Sequence, residues 1–294
     1  MNQRLYSVIL VLFCFAASYM TITHIPIANA VTSEKHDIST KNQDFLIATV
    51  NTEQGKNSIS IPFSKILFNV IPNYDQNGIV KSLTLKLKPD LGSLYKKVGF
   101  SKPSQKTVFV YPLFTQAAYT NGGFYDYYNK KCDSTCLTIP IPSNINGKYS
   151  SSQKVTSVLT LLNYSYITDV DIDKNPNILK KYDKVIILHN EYVTQKEFDA
   201  ITNHPNVVYL FANSLYAKVK TDYKQNTITL INGHGYPNST ITNGFGWKND
   251  NSKYEYDFHC DNWQFYKVDN GKMLNCYPDY RVLYDSDLLQ AIRN

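Results

Sequence analysis

The sequence predicts an α/β fold: a mainly parallel sheet with flanking helices, and β-rich additions at its amino and carboxyl ends. Three observations carry this. Short, strongly apolar runs at 107–111, 184–188 and 206–211 have the length and composition of strands buried on both faces. Segments with helical spacing or helix-start signals lie between them, as βαβ connections require. Outside 105–215 that rhythm is lost, and alternating or aromatic segments with turn signals replace it.

In chain order, residues 31–44 are polar and without periodicity, as in a flexible leader. Residues 45–50 and 58–63 read as strands, and Asn73-Tyr74-Asp75-Gln76-Asn77-Gly78 as a turn. Residues 79–88 alternate with period two, so 45–104 forms a small β-rich element. The α/β domain then runs over 105–294. Strand 107–111 leads into a glycine-bearing loop, and residues 132–150, with prolines, asparagines and two cysteines, form another loop. A helix is expected at 152–162, a strand at 166–170 and a short helix at 177–182 after Pro176. Thr194 caps a helix over 194–202, with Glu197 at the capping-box position. From about 220 an aromatic-rich elaboration holds a strand at 227–231, loops around Gly233-His234-Gly235 and Asn243-Gly244-Phe245, β structure within 254–267, and a closing helix over 286–293.

The amino terminus predicts export. Arg4 precedes an apolar run over 5–20, and Ala28-Asn29-Ala30 fits the small-x-small cleavage rule, so 1–30 reads as a secretory signal peptide. The run falls short of the ~20 apolar residues of a bilayer span, the alternative being an uncleaved signal anchor. No later segment approaches span length. Cys14 leaves with the signal, and the remaining Cys132, Cys136, Cys260 and Cys276 are expected as two disulfides. Three pairings are open; Cys132–Cys136 closing a tight loop and Cys260–Cys276 closing a longer excursion are preferred. A zinc site built from these four and His259 is the sharper alternative, although only Cys132 and Cys136 have ligand-pair spacing. The net charge of +6 is spread along the chain, with no Lys/Arg run to mark a nucleic-acid surface. The 24 tyrosines fit an extracellular binding surface or a set of metal-ligating phenols equally well. Asn163-Tyr164-Ser165 and Asn238-Ser239-Thr240 are glycosylation sequons.

Sites in open parallel sheets lie at the carboxyl ends of strands. After strand 184–188 stands His189-Asn190-Glu191-Tyr192, polar groups suited to metal ligation or acid–base work, or to capping the next helix. After strand 107–111 stands Thr115-Gln116-Ala117-Ala118-Tyr119-Thr120-Asn121-Gly122-Gly123. Together with Asp169-Val170-Asp171-Ile172-Asp173 and Leu179-Lys180-Lys181-Tyr182-Asp183, these segments resemble the catalytic domain of the large (beta) subunit of N,N-dimethylformamidase over about 105–215. The family's Thr-Trp-x-Ala-Tyr-Asn-x-x-Gly-Gly loop has Gln116 for its tryptophan here and is one residue shorter. Its Gly-His-x-Glu-Tyr-Trp motif has Leu188 and Val193 at its ends.

The resemblance implies a class I glutamine amidotransferase-like fold and amide hydrolysis at one iron ion (Fe3+) held by two tyrosinates and a glutamate, with a histidine nearby. On this chain it implies Glu191 and Tyr119 as ligands and His189 as the neighbouring histidine. The second tyrosine has no clear motif; Tyr149 is the first choice and Tyr125 the next. The strand ending at Phe211 is followed by Ala212-Asn213-Ser214-Leu215, without the cysteine of a thiol amidotransferase. His234 lies in a loop able to reach the site, or is incidental. The expected partner is a small amide. The alternative function is a non-catalytic extracellular module of the same fold that binds an envelope component.

Overall fold

The computed structural model of the chain describes residues 45–52, 55–74, 76, 80–145, 152–240 and 242–294. The expected signal peptide, the leader and Tyr149 lie outside the described residues.

Two antiparallel hairpins come first: β1 (Phe45–Thr52) with β2 (Gly55–Pro62), then β3 (Phe68–Tyr74) with β4 (Val80–Leu87). Helix α1 (Gly92–Val98) leads to β5 (Thr107–Tyr111). After β5 come α2 (Leu113–Ala118), α3 (Phe124–Tyr128), β6 (Thr138–Pro140) and α4 (Gln153–Leu161). Then follow β7 (Ser165–Thr168), α5 (Asp169–Lys174), β8 (Lys184–Ile187), β9 (Tyr192–Thr194), α6 (Gln195–Thr202) and β10 (Val207–Tyr209). The chain closes with β11 (Ala217–Asp222), β12 (Thr227–Asn232), β13 (Phe265–Val268), β14 (Gly271–Leu274) and α7 (Ser286–Arg293).

The central sheet has six strands in the order β13-β14-β10-β8-β5-β7. Five run parallel; β13 returns antiparallel along β14. The strands are continuous apolar runs because both faces are covered. Phe109, Tyr111, Ile186, Leu188 and Val208 pack with Val155, Val158 and Leu159 of α4 and Leu288, Leu289 and Ile292 of α7. Val108, Val110, Val185, Ile187 and Val207 pack with Ile172 of α5 and Ile201 of α6. Ile59, Ile61, Phe68 and Leu85 of the hairpins join the first of these cores.

Strand order places the functional crevice. From β5 the chain passes to β7 on one side, then crosses back to β8 on the other. The connections leaving β5 and β8 therefore diverge, and the carboxyl ends of these two strands open the kind of crevice in which α/β sheets bind ligands.

Several expectations change. The expected loop after β5 is two short helices. The expected strand over 166–170 ends at Thr168, because Thr168 and Asp171 form a capping box that starts α5 at Asp169. Within 254–267 only the last residues reach a strand, β13, and Ser252–Tyr254 is a 3-10 turn. Residues 132–150 contain β6, which joins a second sheet, β6-β12-β11-β9, that the sequence reading lacks. The preferred disulfides, Cys132–Cys136 and Cys260–Cys276, both form, which removes the thiolates a cysteine zinc site needs.

Candidate functional site

The Glu191 carboxylate sits at the centre of the crevice, fully buried. The segment that carries it is held at nearly every backbone group. Asn190 Oδ1 accepts from Leu188 N at 3.0 Å, and Ser152 Oγ accepts from His189 N at 3.0 Å. Thr115 Oγ1, in α2, accepts from Glu191 N at 3.0 Å and Tyr192 N at 3.3 Å. The Glu191 carbonyl accepts from Tyr216 N and Ala217 N at 2.9 and 2.8 Å. A site whose frame is bonded in this way keeps its geometry without help from a ligand.

The Tyr119 loop is fixed by two glycines for different reasons. Gly122 has φ +75°, where a side chain is strained. A Cβ on Gly123 would collide with the Ala118 carbonyl oxygen. The turn brings the Tyr119 hydroxyl to 2.9 Å from Glu191 Oε2, which accepts its hydrogen bond. Tyr125, from α3, stacks on Tyr119 with centroids 4.1 Å apart. His189 Nε2 is 3.8 Å from Glu191 Oε2, and its ring packs against Phe211 and Tyr277. His234 is nearer: its Nε2 is 2.7 Å from Glu191 Oε1.

Thus the structure brings Tyr119, His189 and Glu191 together, with Tyr125 beside them and His234 added. Gln116 stands away from this cluster's chemistry: inside α2 it accepts from the Tyr111 hydroxyl and donates to the Asn144 carbonyl. Sequence reasoning missed Glu255, whose charge reaches the Tyr125, Tyr192 and Tyr216 phenols from an irregular segment that no motif marks.

The electrostatics follow from burial and charge. Burial alone would raise the Glu191 carboxyl; the His234 and His189 imidazoles and the Tyr119 hydroxyl outweigh it and hold the group below its ordinary range. Burial pushes His189 down to about 4, against the attraction of Glu191 and with repulsion from His234 adding to the shift. Burial, then the Glu191 charge, pushes the Tyr119 and Tyr125 phenols well above their usual range.

Among the described residues, no group of three or more His, Cys, Asp or Glu side chains is placed to hold a metal ion. A metal here needs phenol ligands. The donor set of Tyr119, Tyr125 and Glu191 fits a hard trivalent ion such as Fe3+, which prefers anionic oxygen. Outside this cluster a cavity of about 710 Å³ is lined by Tyr127, Tyr128, Lys130, Asp133, Gly235 and Pro237, among others. Tyr128 joins cavity and site, for its ring meets the His234 ring at 4.6 Å.

A family model described as N,N-dimethylformamidase beta subunit-like, C-terminal, matches residues 75–254, more than half of the chain. No curated protein matches the sequence. The chain belongs to the N,N-dimethylformamidase beta subunit-like, C-terminal family.

Proposed function

We propose that this protein is an exported, metal-dependent hydrolase of small amides, with its site at the carboxyl ends of β5 and β8. The observation that carries the reading is the convergence of the Tyr119 hydroxyl and two imidazoles on one buried, ionised carboxylate, Glu191, within the matched family segment. Tyr119 and Glu191 would hold one ferric ion, with Tyr125, stacked on Tyr119, as the second phenol among the described residues. The chemistry such an ion supplies when bound is Lewis acidity, which draws off phenolic protons, polarises an amide carbonyl and acidifies water.

The chain's own residues supply the rest. His189, neutral near pH 7, is placed to accept a proton beside Glu191. Phe211 and Tyr277 hold its ring and exclude water from that side. The cavity beyond Tyr128 is large enough to dock the body of an amide substrate. A class I glutamine amidotransferase-like sheet is what the family resemblance implies, and the mostly parallel central sheet is compatible with it. Export rests on the amino-terminal pattern, and the two disulfides are compatible with it.

Hydrolysis of N,N-dimethylformamide, formamide and acetamide by iron-loaded protein, followed by amine release, tests the reading. Turnover lost in Glu191→Gln and Tyr119→Phe is expected. An iron-loaded protein that cleaves none of the three would favour a non-catalytic binding module.

A further inference from the structure

The two disulfides differ in their surroundings. Cys260 and Cys276 are both completely buried, and their bond joins residues 16 apart. Cys132 is half-buried and lines the cavity of about 710 Å³, beside Tyr127 and Tyr128. Its partner Cys136 is only 4 % exposed. A reagent entering the cavity therefore meets one sulfur of this bond and not the other. Access to a chosen sulfur is what thiol–disulfide exchange requires.

Three further features favour opening at this bond. Its cysteines are only 4 residues apart, so it constrains the unfolded chain little. By linkage, the fold in turn holds it closed less firmly than it holds a bond across a longer loop. Lys130 and Lys131 directly precede Cys132 and line the same cavity, where their charge attracts an incoming thiolate. The turn between the cysteines also carries its own hydrogen bonds. Asp133 Oδ1 accepts from Thr135 N at 2.9 Å and from Thr135 Oγ1 at 2.7 Å, and the Asp133 carbonyl accepts from Cys136 N at 3.2 Å. Leu137, next to Cys136, is packed with Phe124 and Ile139. These bonds and contacts keep the two sulfurs close after the disulfide opens, so closure is reversible.

We propose that Cys132–Cys136 is a thiol-exchange site, at which a low-molecular-mass thiol becomes bound to Cys132 as a mixed disulfide inside the cavity. The incoming thiolate attacks Cys132 Sγ. The Cys132–Cys136 bond breaks as the new sulfur–sulfur bond forms, and Cys136 leaves as a thiolate that takes a proton from water. One disulfide is lost and one is made, so the exchange needs no oxidant or reductant. Attack by Cys136 on the adduct expels the thiol and restores the original bond. The adduct stands on the wall formed by Tyr127 and Tyr128, and the Tyr128 ring meets His234 at 4.6 Å, so the bound thiol fills the cavity next to the Glu191 site. The exchange is independent of any metal at Glu191.

The test is incubation of the folded, full-length protein with reduced glutathione at mildly alkaline pH, followed by acid quench, alkylation and peptide mass mapping. Glutathione is expected on Cys132, with Cys136 alkylated and Cys260–Cys276 intact. The first pair should open ~10-fold or more faster than the second in the native protein, and the gap should shrink in urea, where burial no longer protects either. In Cys136→Ser the resolving thiol is gone, so Cys132 should take up glutathione from glutathione disulfide and keep it. A first pair that stays closed in the native protein, two pairs that open there at one rate, glutathione on Cys136 in place of Cys132, or an unreactive Cys132 in Cys136→Ser would each overturn the proposal.

Discussion

Two buried acidic centres lie side by side beneath the crevice, and they behave in opposite ways. At the first, Glu191 faces two imidazoles and a phenol and is held below its ordinary range despite complete burial. At the second, Asp169 from α5 and Glu197 from α6 are both fully buried and face one another. Burial raises Asp169 to about 7, and burial with the Asp169 charge raises Glu197 well above its usual range. Like charges cannot both persist there, so the pair keeps a proton. The contrast is one of partners. The first centre has groups that favour its charge, and is suited to a cation. The second spends its hydrogen bonds on scaffold: Asp169 accepts from Phe114 N at 2.8 Å, at the start of α2, and from the Asn190 side chain beside Glu191. Asp173 extends this centre, accepting from Thr194, Thr221 and Tyr223.

If Asp169 is scaffold, removing it is the largest blow to stability. Asp169→Ala leaves Phe114 N and the Asn190 amide unmet in a buried place and should cost about 3–5 kcal/mol in urea unfolding. A loss below ~1 kcal/mol would break the distinction. Next come the disulfides. Replacing both cysteines of Cys260–Cys276, 16 residues apart, should cost about 3 kcal/mol. The Cys132–Cys136 loop, 4 residues apart, should cost about 2 kcal/mol because it constrains the unfolded chain less. Equal losses would mean that chain entropy does not govern them.

The smallest effect is on pH dependence. The folded Asp169 carboxyl, at about 7, holds its proton where the unfolded one does not. Its contribution to stability is therefore full below about pH 4 and lost as pH rises through about 7. Glu197→Gln removes one member of the pair, so its melting temperature should fall less than the wild type's between about pH 5 and pH 8. A steeper fall in the variant would reverse the assignment of the shared proton.

The central strands were legible because a strand covered on both faces must be apolar throughout, and that pattern is local. The start of α6 was legible because Thr194 does accept from Glu197 N. The Glu197 side chain was misread, since it turns to Asp169 instead of completing the box, a contact between residues 28 apart in sequence. The second sheet was not legible. β9 is three residues long and is defined by pairing with β11, and β6 by pairing with β12. The helices after β5 were hidden by glycines that belong to the turn between them. At the site, His189 and Glu191 stood directly after a strand and could be named, while Tyr119, in the glycine-bearing segment after β5, was singled out by the family resemblance. His234 offered a weaker signal, a histidine between two glycines, and only the tertiary fold gives it a partner.

The most direct test of the account is the metal content and visible spectrum of purified wild-type protein beside Tyr119→Phe and Glu191→Gln. About one iron per chain is expected in the wild type, with a tyrosinate-to-iron charge-transfer band that weakens in Tyr119→Phe, and with iron largely lost from Glu191→Gln. A wild type without iron after loading, or iron and a band unchanged in both variants, would contradict it.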